Sequence, residues 1–265
     1  MLLQQLQDKD GAGKKLSLHF ARSMSEVLEA QRLRYRVFVE EMGARLNVAE
    51  TGIDSDIFDP FCQHLLVRDE ISNEVVGTYR ILDSMQAKKI GGFYSDDEFD
   101  LTRLNHLRDN MVEVGRSCVH PDYRNGATIS LLWSGLAQYM LAHHYQYLIG
   151  CASISMNDGG HSAASIYNRI KNKSLSPSEY RVFPRCALPL DALNCNLEPH
   201  LPPLLKGYLR LGAYVCGDPA WDPDFNTADV LMMLPLSRMS SRYQKHFMRK
   251  SSSPILADRA NLDLS

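Results

Sequence analysis

The chain has 265 residues, 45% hydrophobic and 23% charged, a globular balance that excludes collagen-like, disordered and coiled-coil architectures for most of its length. Its 29 Lys and Arg stand against 31 Asp and Glu, a net charge of −2, which excludes a surface that tracks nucleic acid throughout and leaves room only for local basic patches. Typical domains of about 100 to 200 residues allow one large domain or two small ones.

Met1 to Asp10 is polar, without a basic stretch leading into an apolar core, so no secretory signal peptide is expected and the chain reads as cytoplasmic. Residues 1–15 read as a flexible lead, followed by a strand at Leu16 to Phe20. From Ser23 the pattern turns helical: Ser23 and Glu26 fit a capping box, and Val27, Leu28, Leu33, Val37 and Phe38 supply the apolar face. An acidic loop over 43–62 precedes Leu65 to Val67 and Val75 to Leu82, which flank Asp69 to Asn73 and read as a hairpin. Met111 to Val119 alternates as a strand, His120 to Gly126 breaks it, and Thr128 to Ala142 resumes at helical period.

The segment Asn125 to Asn157 carries no Asp, Glu, Lys or Arg. It falls short of the roughly 20 apolar residues of a membrane span and reads as a buried helix, with Trp133 and Met140 on its core face, followed by a buried strand at Tyr147 to Ile154. A helix at Ser162 to Lys171, a Pro-rich insertion at about 177–203, a helix near Leu204 to Leu211 and a strand at Val230 to Leu234 complete one domain over 16–236. The class is α/β (α+β), one mixed sheet with helices on both faces. Residues 237–250 read as a basic helix and 251–265 as a flexible tail. The six cysteines form no CxxC pair, and His64, His120, His143, His144 and His161 show no ligand spacing, so reduced thiols and no metal are expected.

Val119 to Thr128 joins a strand to an uncharged helix. The first-turn amides of such a helix lack partners and its dipole is positive there, so Gly126 and Ala127 let a phosphate approach while Arg124 adds charge; a plain strand-to-helix turn is the alternative. With Arg124, Asn125, Gly126, Ala127 and Thr128 the loop resembles that of the GNAT acyltransferase superfamily, although Gly126 follows Arg124 by two residues rather than three. A second series is more specific: Arg34 and Phe38 four apart, Asp56 and Asp59, Arg80, then Glu113 and Arg116. In order and spacing it resembles bacterial enzymes that move an acyl chain from acyl carrier protein to a small amino acid derivative, a group including acyl-homoserine-lactone synthases. Glu113-Val114-Gly115-Arg116-Ser117, Gly91-Gly92-Phe93-Tyr94-Ser95, Leu204 to Tyr208 and Pro219 to Pro223 resemble the L-ornithine N(alpha)-acyltransferases.

That resemblance implies a GNAT-like, mostly antiparallel central sheet with a splayed strand pair at the donor site. It implies transfer of a (3-hydroxy)acyl chain from acyl carrier protein to the alpha-amine of L-ornithine, giving lyso-ornithine lipid, with acyl-phosphopantetheine as co-substrate and no tightly bound cofactor. The alternatives are glycine or another amino acid as acceptor, an acyl-homoserine-lactone synthase, or an inactive binding module on the same fold.

N-acyl transfer needs a base for the attacking amine and a proton for the departing thiolate. Glu113, between Val112 and Val114 on a strand, is the expected base. Arg116, three residues on, would face the opposite side of a regular strand, so a bulge at Gly115 is expected to bring it round. Asp56 and Asp59 are expected to meet cationic groups, either the acceptor or Arg34, and Arg80 or Arg116 to hold a carboxylate or organise the pocket; an internal Arg/Asp network is the plain alternative. Tyr167 is expected either to protonate the thiolate, as a Tyr does in GNAT enzymes, or to pack. Arg238, Arg242, Lys245 and Arg249 would share a helix face beside Met239, Tyr243 and Phe247, which suits acyl carrier protein or a peripheral contact with the anionic inner membrane.

Overall fold

The structure, a computed structural model, describes residues 15–46 and 50–239. Of the expected lead over 1–15 only residue 15 is described, and of the expected basic helix over 237–250 only 237–239, where Leu236–Arg238 forms a 3-10 turn and Arg238 bonds to the Gly212 carbonyl and the Tyr214 hydroxyl; the rest of both, and the tail at 251–265, lie outside the described residues.

In chain order the elements are β1 (Leu16–Phe20), α1 (Met24–Tyr35), β2 (Gln63–Asp69), β3 (Val75–Asp83), α2 (Ser84–Ile90), α3 (Ser95–Glu98), β4 (Phe99–Asp100), β5 (Met111–Val119), α4 (Ala127–Ala142), β6 (Tyr147–Ser155), α5 (His161–Ser174), β7 (Phe183–Pro184), α6 (Pro203–Leu211), β8 (Tyr214–Val215), β9 (Ala220–Asp222) and β10 (Thr227–Pro235). Ser23 caps α1 by accepting from the Glu26 amide at 3.3 Å, and the Glu26 carboxylate reaches back one residue further than a capping box would, to the Arg22 amide. The helix then widens into a π-helical turn over Arg36–Glu41.

The main sheet runs β1-β2-β3-β5-β6-β10-β8, with β9 also paired to β10. Every pairing is antiparallel except β5 with β6. Alternation along β2 shows how the layers are built: Leu65 and Val67 pack with Leu132 and Leu136 of α4, while Leu66 packs with Ala30, Leu33 and Val37 from α1 and its π-helical extension. The α1 face continues into a cluster of Phe58, Phe93, Phe99 and Leu104 against Met111, Ile149 and Leu231. All nine residues of β3 and all nine of β10 are buried, as strands covered on both faces require. The helix-then-strand reading of the uncharged segment holds as α4 and β6, and among the described residues no helix is long and apolar enough to cross a membrane.

Candidate active site

The parallel pair β5–β6 pairs only at Met111↔Tyr147, Val112↔Leu148 and Glu113↔Ile149. Beyond Glu113 the two strands part. On the other edge of β5, Arg80 faces Gly115 and Thr78 faces Cys118, so Arg116 and Ser117 together oppose Tyr79. This is the expected bulge, one residue later than expected: Arg116, not Gly115, takes the left-handed backbone, with φ of 51°. An L-residue rarely adopts that conformation without support, and here the guanidinium lies over the rings of Phe225 (4.6 Å) and Tyr94 (5.1 Å).

Glu113 is 4% exposed. Its carboxylate accepts from the amides of Tyr94 (2.6 Å) and Ser95 (2.9 Å) and from the Ser95 hydroxyl. Burial pushes its carboxyl above the ordinary range, and the Ser95 hydroxyl and the two amides oppose that shift. The 91–95 segment thus acts as a cradle that fixes the carboxylate. Glu113 and Arg116 both line a cavity of about 500 Å³, which also takes in Tyr79, Arg80, Phe38 and Cys151. A second cavity of about 470 Å³ adjoins it through Phe58, Tyr94, Arg116, Asp222 and Phe225.

The Asp and Arg candidates are brought together, in the internal network rather than around an open acceptor site. Arg34, 1% exposed, bonds to Asp54 (2.8 Å) and Asp59 (2.8 and 3.0 Å). Arg80 bonds to Asp56 (2.6 Å) and Asp59 (3.1 Å), and Arg116 to Asp56 (3.1 Å). Asp59 also accepts from Gln31 and the Asp56 amide. Burial works against its charge, but Arg34 and Arg80 overcome this and hold the carboxyl well below the ordinary range. Of the two cationic partners expected for Asp59, the acceptor or Arg34, the structure gives Arg34: the lone pairs of Asp59 are spent inside the protein, and it lines neither cavity. Asp56 is partly exposed and faces the second cavity. Asp54, which the sequence reading did not single out, is the missing member of the network. Arg116 remains the cation facing both cavities, its Nε buried and without a hydrogen-bond partner.

In the donor loop Val119, Arg124 and Gly126 line the first cavity, where Gly126 caps α4 at φ of 89°, a conformation suited to glycine. Arg124 is held by Glu41 in a two-pronged pair at 2.5 and 2.7 Å. Asn125 caps the Ala127 amide at 3.1 Å. Asn125, Ala127 and Thr128 do not line that cavity; Thr128 is sealed beneath Gly77, whose Cα leaves just enough room for its methyl. Tyr167 is not brought to the cavity either: it is 2% exposed in the core and its hydroxyl donates to Asp218. Burial and then that carboxylate push its hydroxyl pKa upward, so the packing alternative describes its position. His64 is buried beside the Asp59 carbonyl at 3.2 Å, its pKa pushed down to about 4 by burial.

A sheet that parts beside a buried carboxylate, opening a cavity bounded at one end by a helix N-terminus, is the framework on which GNAT-type acyltransferases work, and the acetyltransferase (GNAT) domain family matches residues 33–134. The L-ornithine N(alpha)-acyltransferase of Brucella abortus (strain 2308) is 38% identical over 248 residues, 88% of this chain and 88% of that protein. That of Agrobacterium fabrum (strain C58 / ATCC 33970) is 38% identical over 250 residues, covering 88% and 85%. The chain belongs to this family and is an acyltransferase. The acyl-homoserine lactone synthase BjaI, solved with MTA, shares the fold at 15% identity, with a TM-score of 0.54 over 94% of this chain and 96% of that one.

Proposed function

We propose that the protein transfers a (3-hydroxy)acyl chain from the phosphopantetheine thioester of acyl carrier protein to the alpha-amine of L-ornithine, giving lyso-ornithine lipid in the first step of ornithine lipid synthesis. The observation that carries this reading is that a buried, cradled Glu113 and Arg116 line one cavity at the point where β5 and β6 part. The neutral alpha-amine attacks the thioester carbonyl, forming the C–N bond. Glu113 accepts the amine proton as the tetrahedral intermediate collapses, the C–S bond breaks, and that proton ends on the departing thiolate. Arg116, stacked on Phe225 and Tyr94, holds the acceptor's alpha-carboxylate through in-plane N–H donors that Asp56 does not take. The N-terminus of α4 at Gly126, with Arg124, receives the phosphopantetheine phosphate.

Acyl carrier protein as donor is supported by the basic run Arg242 to Lys250, which also suits peripheral contact with an anionic membrane surface; Arg238, at its start, is held by the Gly212 carbonyl and the Tyr214 hydroxyl. The deciding experiment incubates the protein with acyl-[acyl carrier protein] and ornithine, reads thiol release, and identifies the product by mass. Acyl-ornithine, both in the assay and in the lipids of a host lacking aminolipids, is the expected result. Acyl-glycine, or no thiol release, would replace the reading.

A further inference from the structure

With Asp54, Asp56 and Asp59 committed to arginines, the acceptor's second amine needs a different partner, and the cavity wall supplies one. Glu98 at the end of α3, Asp222 at the end of β9 and Asp229 in β10 converge where the two cavities adjoin. Asp229 is 4% exposed and Asp222 9%. Glu98 and Asp229 bring carboxylate oxygens, and Cys151 its sulfur, within 4.8 Å of one another. Among the described residues none of the three carboxylates forms an ion pair with Lys, Arg or His. Glu98 Oε1 is shut away from solvent with no hydrogen-bond partner, while the rest of the carboxylate is met by neutral donors, a long 3.5 Å contact from the Cys151 thiol and the Tyr94 hydroxyl. Asp229 receives the Thr227 hydroxyl at 2.9 Å.

Buried like charges facing one another are unfavourable unless a cation lies between them or a proton is taken up. Burial, and then the charges of Asp229 and Asp222, push Glu98 up to about 9; burial pushes Asp229 up to about 6. The cluster is also close to the chemistry: the Ser95 hydroxyl that donates to Glu113 lies 3.5 Å from Cys151 Sγ, which in turn donates to Glu98.

We infer that Glu98, Asp222 and Asp229 form the receptor for the distal ammonium of the acceptor, so that the three-methylene arm of ornithine spans from the Glu113–Arg116 pair to this acidic wall. The inference rests on the ornithine reading above. A compact ammonium, a point charge with three donors, suits carboxylates that converge from separate elements, whereas a planar guanidinium pairs best with both oxygens of a single one. The ammonium arm then selects the acceptor, and an amino acid with an apolar side chain leaves the three carboxylates without a cationic partner.

The test compares kcat/KM for ornithine and for norvaline, which keeps the three-carbon arm and lacks the amine, in the full-length protein with one acyl donor. Wild type is expected to favour ornithine strongly. Glu98→Gln and, separately, Asp229→Asn should each lower the ornithine-to-norvaline ratio by about 10-fold or more, the scale of a lost charge-assisted hydrogen bond. Direct ornithine binding, measured by titration calorimetry, should weaken in parallel, and this reports on any variant too slow to assay. An unchanged ratio in both variants, including equal losses on both acceptors from a purely structural effect, overturns the receptor while leaving the ornithine reading intact. A wild type that treats ornithine and norvaline alike overturns the ornithine reading and the receptor with it. Tight Mn²⁺ binding lost in Glu98→Gln, with activity abolished by chelator, would show that the cluster takes a metal and would also overturn the inference.

Discussion

Glu113 and Asp59 are both buried carboxylates that accept three or more hydrogen bonds, yet their surroundings give them opposite tasks. Glu113 faces amides and a hydroxyl, so burial keeps its carboxyl above the ordinary range, where it exchanges protons usefully. Glu113→Gln should therefore fold normally and lower the transfer rate by about 100-fold or more, with the deficit shrinking at high pH, where more of the amine is already neutral. A pH series of single-turnover rates checks both parts. Asp59 sits between Arg34 and Arg80, and removing its charge leaves each buried guanidinium one carboxylate, Asp54 for Arg34 and Asp56 for Arg80, in place of two. Asp59→Asn should cost about 3 to 5 kcal/mol of stability, the scale for breaking a buried ion pair, with KM for donor and acceptor shifting together in whatever fraction folds; urea denaturation alongside kinetics separates this from a binding role. The residue types of this network were legible in the sequence as Arg34, Asp56, Asp59 and Arg80. Their division of labour was not, because whether an Asp meets a ligand or an internal arginine depends on distances across loops of 20 residues and more, and Asp54 carries no local signal apart from being acidic.

At the scale of elements, hydrophobic period found every long strand, since β1, β2, β3, β5, β6 and β10 carry alternating or continuous apolar runs. It missed α2, which buries only Ser84 and Ala87 and so has almost no apolar face. The end signals were present all the same: Asp83 accepts from the Gln86 amide, and Gly91 closes the helix at φ of 107°. The bulge was anticipated from Gly115, but stacking and pairing around Arg116 give the left-handed position to the arginine, a tertiary effect that no local rule contains. Two predictions belong here. A Cβ on Gly150 would lie 2.4 Å from the Val114 carbonyl oxygen across the β5–β6 gap, so Gly150→Ala should force the strands, costing about 1 to 3 kcal/mol by overpacking and lowering kcat/KM for the donor more than for the acceptor. In the donor loop, Glu41 occupies the guanidinium that the phosphate needs. Glu41→Gln should therefore lower KM for the donor a few-fold, and Arg124→Ala should raise it, the contrast being an exposed pair worth about 0.2 to 1 kcal/mol. Steady-state kinetics with varied acyl donor reads all three variants.

For the whole molecule, the two acidic groups leave opposite marks on stability. Asp59 and Asp56 are held below the ordinary carboxylate range by their arginines against the pull of burial, so their contribution is complete above about pH 4 and is lost as pH falls further. Glu98 and Asp229 are pushed up to about 9 and about 6, so theirs is complete below about pH 4 and is lost as pH rises through 6 and then 9. Unfolding free energy without acceptor is expected to peak on the acid side of neutrality and decline toward pH 9, and Glu98→Gln should flatten the upper part of that decline. Urea melts across pH 4 to 9 measure it, and a curve still rising at pH 8 would contradict the assignment. The sheet that carries these charges is stitched unevenly: three residue pairs join β5 to β6, against nine between β6 and β10. The molecule is in effect two half-sheets sharing a short seam, held further by the helices that pass over it. Such a seam sets where the native state opens first, so the β6 amide protons directed at β5 within Tyr147 to Ile149 should exchange with solvent by local breathing well before those joining β6 and β10 within Val230 to Met233, and an acyl donor lodged between the halves should slow that exchange by acting as a clasp.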